Sequence, residues 1–341
     1  MKAVQVVKPG DLRIIDMEKP VLEGKNNVLV RMTAAGICGS DMGIYHGTNA
    51  AATYPRVIGH EIVGVVEEVL DTASKVKVGD RVIIDQVTAC GHCYACSKGR
   101  PNVCGNLKVR GVHIDGGYRE YIAVNDQECY LLPEGLSDVD AVLIEPTTIA
   151  VQCCSRAQLE SEDTVLIIGA GALGTRILSI VKLHHPKTII VADIDDAKLQ
   201  EALENGADHV INSRTEDLPQ RARELTDGYG PTVSIDAACV KGSLLNALNA
   251  TGSAGRVITM GFSVAPDEVN QFVITSKELD VRGSRLQNRK FQDVIDLVRE
   301  GKVDLNGGVS HTFDFRDAQK AFDFVDSRDP SIRKVVLTFG R

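Results

Sequence analysis

The stretch TVLIIGAGALG, residues 164–174, constrains the fold more than any other part of this chain. A short β-branched run that enters G-x-G-x-x-G and opens an amphipathic stretch reads as strand, tight turn and helix. The alternation then continues through TIIVAD, HVIN, TVSIDAA, RVITMG and DVRGS, with helical stretches expected after the first four of the six strands. Six strands in a βαβ series predict a doubly wound parallel sheet over residues 151–288, the α/β half of the molecule. In that setting Gly169 permits the turn, Gly171 lets a pyrophosphate approach the backbone, and Gly174 allows close helix–strand packing. Ala172 and Leu173 complete the loop at the helix N-terminus, whose amides suit phosphate oxygens. Asp193 ends VAD, 19 residues after Gly174, where an acid binds ribose hydroxyls and repels a 2′-phosphate. The expected cofactor is therefore NAD rather than NADP.

A chain of 341 residues is too long for one ordinary core, so a second domain is expected. Residues 1–150 supply it. AVQVV, NVLVRMTAAG, RVIGHEIVGVVEEV, DRVIID and YREYIAV are β-branched or alternating, with glycine and proline between them. After Arg289, two helical stretches (FQDVIDLVREG and DAQKAFDFVDS) and the strand KVVLTF do not extend the βαβ series. Residues 289–341 are expected to return to the first domain.

The N-terminus lacks the basic-then-apolar layout of a secretory signal. No apolar run approaches the ~20 residues of a membrane helix. With a net charge of −8 and scattered basic residues, nucleic acid is not an expected partner. A cytoplasmic enzyme that acts on a small molecule is the expectation.

Four of the nine cysteines lie in CGHCYACSKGRPNVC, as Cys90, Cys93, Cys96 and Cys104, within a lobe at 88–106. An odd total without a signal peptide argues against a disulfide framework. The tandem C-x2-C-x2-C-x7-C spacing fits four thiolates around one tetrahedral zinc. The usual bacterial iron–sulfur run has three residues before its last cysteine and a proline after it, whereas Gly105 follows Cys104 here. Four thiolates close the coordination sphere, so this zinc is structural, and catalytic metal chemistry needs other ligands.

Those ligands are sought in GICGSD, GHEIVG and LIEP. They offer a thiolate (Cys38), an imidazole (His60) and carboxylates (Glu61, Glu145), at glycine-marked turns and at the end of the β domain. A thiolate, an imidazole and a carboxylate with one open position make a ligand set for a catalytic zinc.

Taken together, GICGSD, GHE, the cysteine lobe, IEP, GAGALG with VAD, and KVVLTF resemble the zinc-dependent medium-chain alcohol and polyol dehydrogenases over essentially the whole chain. The resemblance implies a GroES-like catalytic domain joined to a Rossmann domain, with the active site in the cleft between them. It implies a catalytic zinc on Cys38, His60 and either Glu61 or Glu145, and a structural zinc on Cys90, Cys93, Cys96 and Cys104. Ser40 matches the hydroxyl that passes the alcohol proton outward. The relatives' next relay histidine is replaced by Gly43, which leaves either His46 or water to carry the proton on.

The stretches YPRVIGHE, GVHIDGGYREY and GSRLQN are most similar to the branch that handles sugar acids. This implies oxidation of a secondary hydroxyl of a hexonate such as L-gulonate or L-galactonate, at the fifth carbon. Arg285 is a candidate for a substrate carboxylate and His113 for a substrate hydroxyl. The alternatives are a sorbitol-like polyol, L-threonine, or, in another class, a cofactor-binding regulator without catalysis. Relatives assemble as dimers or tetramers, so a homo-oligomer is expected.

Overall fold

The computed structural model describes residues 1–25, 27–71, 73–262 and 264–340. The chain divides into two compact units, Met1–Pro146 with Phe291–Arg341, and Thr147–Lys290.

In the second unit the strands Thr164–Ile168, Thr188–Asp193, His209–Asn212, Val233–Asp236, Arg256–Thr259 and Asp280–Gly283 form one sheet, parallel throughout. Numbered along the chain, they run 3-2-1-4-5-6 across the sheet, the doubly wound dinucleotide-binding order. Helices cover both faces of such a sheet, so its central strands read as unbroken apolar runs. Val165–Ile168 and Ile189–Ala192 are accordingly buried. Leu166, Ile190, Ile211, Leu248 and Val257 join one core cluster with Leu218 and Ala222 from the helix Leu218–Glu224. Asp195 and Asp217 cap the N-termini of the next two helices by accepting from the amides of Ala197 and Gln220. A short helix, Gln271–Thr275, follows the fifth strand, where the sequence suggested none. Asn270 caps it, accepting from the Phe272 amide, and five residues are too few to show helical periodicity.

The first unit is mainly β. A mostly antiparallel sheet runs through Cys129–Leu131, Arg81–Ile84, Glu61–Val69, Val28–Gly36, Val335–Thr338 and His311–Asp314, with Tyr121–Val124 also paired to Val28–Gly36. The returning C-terminal segment is thus woven into the sheet. Its strand Val335–Thr338 pairs antiparallel with Val28–Gly36 and parallel with His311–Asp314. Two helices of this segment bury one stripe each: Phe291, Val294 and Ile295, then Ala318, Ala321 and Phe322. The cysteine lobe is closed at its base by Val87–Thr88 paired with Lys108–Val109.

Three features of this unit depart from the sequence reading. DLRIID forms a strand, Asp11–Asp16, and HTFD forms another, His311–Asp314; both are sheet edges with no fully buried residue. RVIGHEIVGVVEEV, grouped with the strand-like stretches, is two strands, Arg56–Val57 and Glu61–Val69, which break at the glycine-marked turn that carries His60. GICGSD is not a turn. Gly39–Tyr45 is a helix with Cys38 at its N-cap, where the Asp41 carboxylate accepts from the Cys38 amide at 2.9 Å.

Candidate metal centres and cofactor loop

The four lobe cysteines converge. Sγ–Sγ distances are 3.5 Å for Cys93–Cys96, 3.8 Å for Cys93–Cys104 and 3.4 Å for Cys90–Cys104. A tetrahedron of sulfurs ~2.3 Å from zinc has edges of ~3.8 Å, so the set fits that ion. Backbone amides of Cys96 and Gly105 hold the Cys93 thiol down at about 6, while burial and the neighbouring Cys93 push Cys96 up to about 12. Packed thiols cannot all ionise without a cation between them.

A second cluster forms deep in the same unit. One ligand atom each from Cys38, His60 and Glu61 lies within 4.8 Å of the others. Each is delivered by a different local device: Cys38 caps a helix, His60 sits in the break between two strands, and Glu61 opens the next strand opposite Gly36. The break is local physics. Gly59 has φ of +95°, and a Cβ there would lie 2.1 Å from the Tyr118 ring, so only glycine fits and the chain turns His60 out of the ladder.

The surroundings favour positive charge. Burial would lower the His60 pKa, but the Asp41 carboxylate and Cys38 outweigh it and hold it well above the ordinary value. Lys334, against burial, is likewise raised by Glu61 and Cys38. A site that stabilises an imidazolium and an ammonium also suits a divalent cation. The thiolate, imidazole and carboxylate set therefore fits zinc.

The remaining candidates divide. Ser40 Oγ lies 3.4 Å from His60 Nε2, beside the cluster. Glu145 is buried in the first turn of the helix Ile144–Ala157, but it is not one of the three clustered donors. Its carboxylate accepts from Gln86 Nε2, and burial, with Glu61 nearby, pushes it up to about 8. His46 is not brought to the cluster. It caps the far end of the Cys38 helix, half-exposed, with Nε2 2.9 Å from Asp326. His113 Nδ1 accepts from the Val109 amide at 3.1 Å. Arg285 belongs to the other unit, where its guanidinium lies 4.9 Å from the Phe262 ring centre.

Sequence reasoning missed four residues here. Asp41 holds Cys38 and faces His60 Nδ1 at 3.4 Å; Tyr118 reaches Asp41; Lys334 pairs with Glu61 at 2.6 Å; Gln86 holds Glu145. Only Asp41 left a signal, the spacing Cys38-x-x-Asp41 of a capping box.

In the second unit, the Gly169 amide donates to Ala192 and the Ala170 amide to Asp193 Oδ2, both at 2.7 Å. The other Asp193 oxygen accepts from Ile194 and Asp195. Gly169 has φ of +100°, and a Cβ on Gly174 would lie 1.8 Å from the Gly169 carbonyl. Gly171 caps the helix Ala172–Lys182, and a Cβ there would meet nothing within 4 Å, which leaves its backbone approachable. This loop has the form that cradles a dinucleotide pyrophosphate.

Comparison with known proteins agrees with both halves. Residues 24–134 match the alcohol dehydrogenase GroES-like domain, and residues 172–300 match the zinc-binding dehydrogenase domain. The starvation-sensing protein RspB of Escherichia coli K12 is 43% identical over 341 residues, all of both chains. The crystal structure of rspB from E. coli CFT073, complexed with NADH, superposes with a TM-score of 0.92, covering 99% of each chain. A zinc-type alcohol dehydrogenase-like protein of Haemophilus influenzae is 36% identical over 99% of both chains. An L-idonate 5-dehydrogenase of Vitis vinifera is 29% identical over 88% of this chain and 85% of its own. No helix among the described residues is long and apolar enough to cross a membrane. With a GroES-like domain that carries two zinc-fitting clusters, and a Rossmann domain with its glycine loop and acid, the chain belongs to the zinc- and NAD-dependent medium-chain alcohol dehydrogenases.

Proposed function

We propose that the protein oxidises a secondary hydroxyl of a sugar acid, a hexonate such as L-gulonate or L-galactonate at its fifth carbon, to a ketone with NAD. The observation that carries the catalytic part is the contrast between the two clusters. Four cysteines fill one coordination sphere, whereas Cys38, His60 and Glu61 leave a fourth position for a substrate oxygen.

Zinc, when bound, supplies Lewis acidity that lowers the pKa of a substrate hydroxyl, and the nicotinamide takes up the hydride. The protein's own groups do the rest. Cys38 and His60 hold the metal, with Glu61 or Glu145 as the exchangeable carboxylate. Asp41, facing His60 Nδ1, favours the tautomer that leaves Nε2 free to ligate. Ser40 receives the alcohol proton and passes it outward; with His46 turned to Asp326, water is the next carrier. Gly169, Gly171, Ala172, Leu173 and Gly174 hold the pyrophosphate and Asp193 the adenosine ribose. Oxidation then balances as one hydride to NAD, one proton to solvent and one ketone.

The sugar-acid assignment is supported by the relationship to L-idonate 5-dehydrogenase and by an aromatic content of only 4% with no tryptophan, which argues against a large apolar substrate. Arg285 and His113 are the proposed contacts to substrate carboxylate and hydroxyl. The test is a screen of aldonates and polyols with NAD, run alongside zinc analysis. Two zincs per chain and the highest kcat/KM on a hexonate are expected. Faster turnover of sorbitol or L-threonine would overturn the substrate, and one zinc without turnover would overturn catalysis.

A further inference from the structure

We propose that Tyr118 is a positioning residue for the catalytic metal site, acting through its hydroxyl on both segments that carry the ligands. This rests on the reading that Cys38 and His60 hold zinc. Tyr118 is fully buried, and its ring fills the space beneath Gly59, next to His60. Its hydroxyl has one proton, shared between two acceptors, the Gly36 carbonyl at 2.8 Å and Asp41 Oδ2 at 3.1 Å. Gly36 ends the strand that leads to Cys38.

Asp41 is the hub that this hydroxyl supports. Its Oδ2 also accepts from the Cys38 amide at 2.9 Å, and its Oδ1 from the Gly59 amide at 3.3 Å, with His60 Nδ1 3.4 Å away. One carboxylate therefore touches the backbone of the thiolate segment, the backbone of the imidazole segment and the imidazole itself. A fully buried carboxylate must keep one orientation to serve all of these partners at once. The Tyr118 hydroxyl, which donates to its Oδ2 from a position set by the Gly36 carbonyl, fixes its plane. Groups that orient metal ligands from behind commonly alter metal affinity when removed, though they never touch the metal.

Packing and positioning are separable, because Tyr118→Phe keeps the ring under Gly59 and removes only the hydroxyl. In the two-zinc enzyme, Tyr118→Phe is expected to speed zinc release from the Cys38–His60 site by roughly tenfold, within the range for second-sphere changes. Release from the four-cysteine lobe should be unchanged, which also certifies the fold. With cobalt in the Cys38–His60 site, the visible absorption bands should shift. Combined with Asp41→Asn, the tyrosine change should add little, because both act through one carboxylate. Wild-type release rates at both sites and an unaltered cobalt spectrum would overturn the proposal, as would release effects of the two substitutions that simply multiply. If the unmodified protein binds zinc only at the four cysteines, the catalytic-zinc reading falls first and takes this proposal with it.

Discussion

Lys334 stands just before the strand Val335–Thr338 and carries no functional signal of its own, yet it is the charge partner of Glu61. The lysine side chain is 10% exposed and the glutamate 1%. Removing one partner of a buried pair strands the other charge, at about 3–5 kcal/mol. In protein free of metal at Cys38 and His60, where no cation other than Lys334 would neutralise Glu61, Lys334→Met should lower unfolding free energy in urea by that amount, and Glu61→Gln in the same chain should restore most of it. A loss below about 1 kcal/mol would show the pair to be solvent-screened instead. Ser40 differs: the family resemblance implied its role, and its hydroxyl stands beside His60. Ser40→Ala should lower kcat about 100-fold, typical of a lost proton-transfer group, with both zincs retained. His46→Ala should cost little, since His46 pairs with Asp326; a fall of orders of magnitude across pH would restore it to the relay.

At the scale of elements, the glycine loop was the most legible part of the chain because its constraints are local. Every role assigned to Gly169, Gly171 and Gly174 concerns residues within one turn. Gly174→Ala would drive a methyl into the Gly169 carbonyl and lift the helix from the strand. NAD affinity should fall about tenfold or more by calorimetric titration, the strain expected of an overpacked contact, with zinc content unchanged. The metal-bearing elements were less legible. GICGSD reads as a turn because of its glycines, while the capping by Asp41 that makes it helical is a side-chain event. RVIGHEIVGVVEEV reads as strand-like because its apolar pattern is continuous. Its break depends on Tyr118, a distant residue that occupies the space a Cβ would need.

For the whole molecule, the coenzyme preference is the property easiest to test, since Asp193 is meant to exclude a 2′-phosphate. NAD at 100 times its Kd should stabilise the protein by about 2.7 kcal/mol and raise its Tm. NADP at the same concentration should do markedly less; an equal shift would remove Asp193 as the discriminator. Spacing and periodicity were enough to read the two kinds of domain, the cysteine tetrad and the glycine loop, whereas Cys38, His60, Glu61 and Glu145 were singled out through the family resemblance. Patterns of that kind are properties of neighbouring residues. Which donors meet depends on long-range packing. Val336 pairs with Gly36, and Gly36 pairs with Glu61, so strand register carries Lys334, 273 positions from Glu61 in the chain, onto its carboxylate. The same packing leaves Glu145 on Gln86 and His46 on Asp326, outside the three-donor cluster. Register is settled by long-range pairing of whole faces, and a shift of one residue would turn Glu61 to the other face of its strand, away from Lys334.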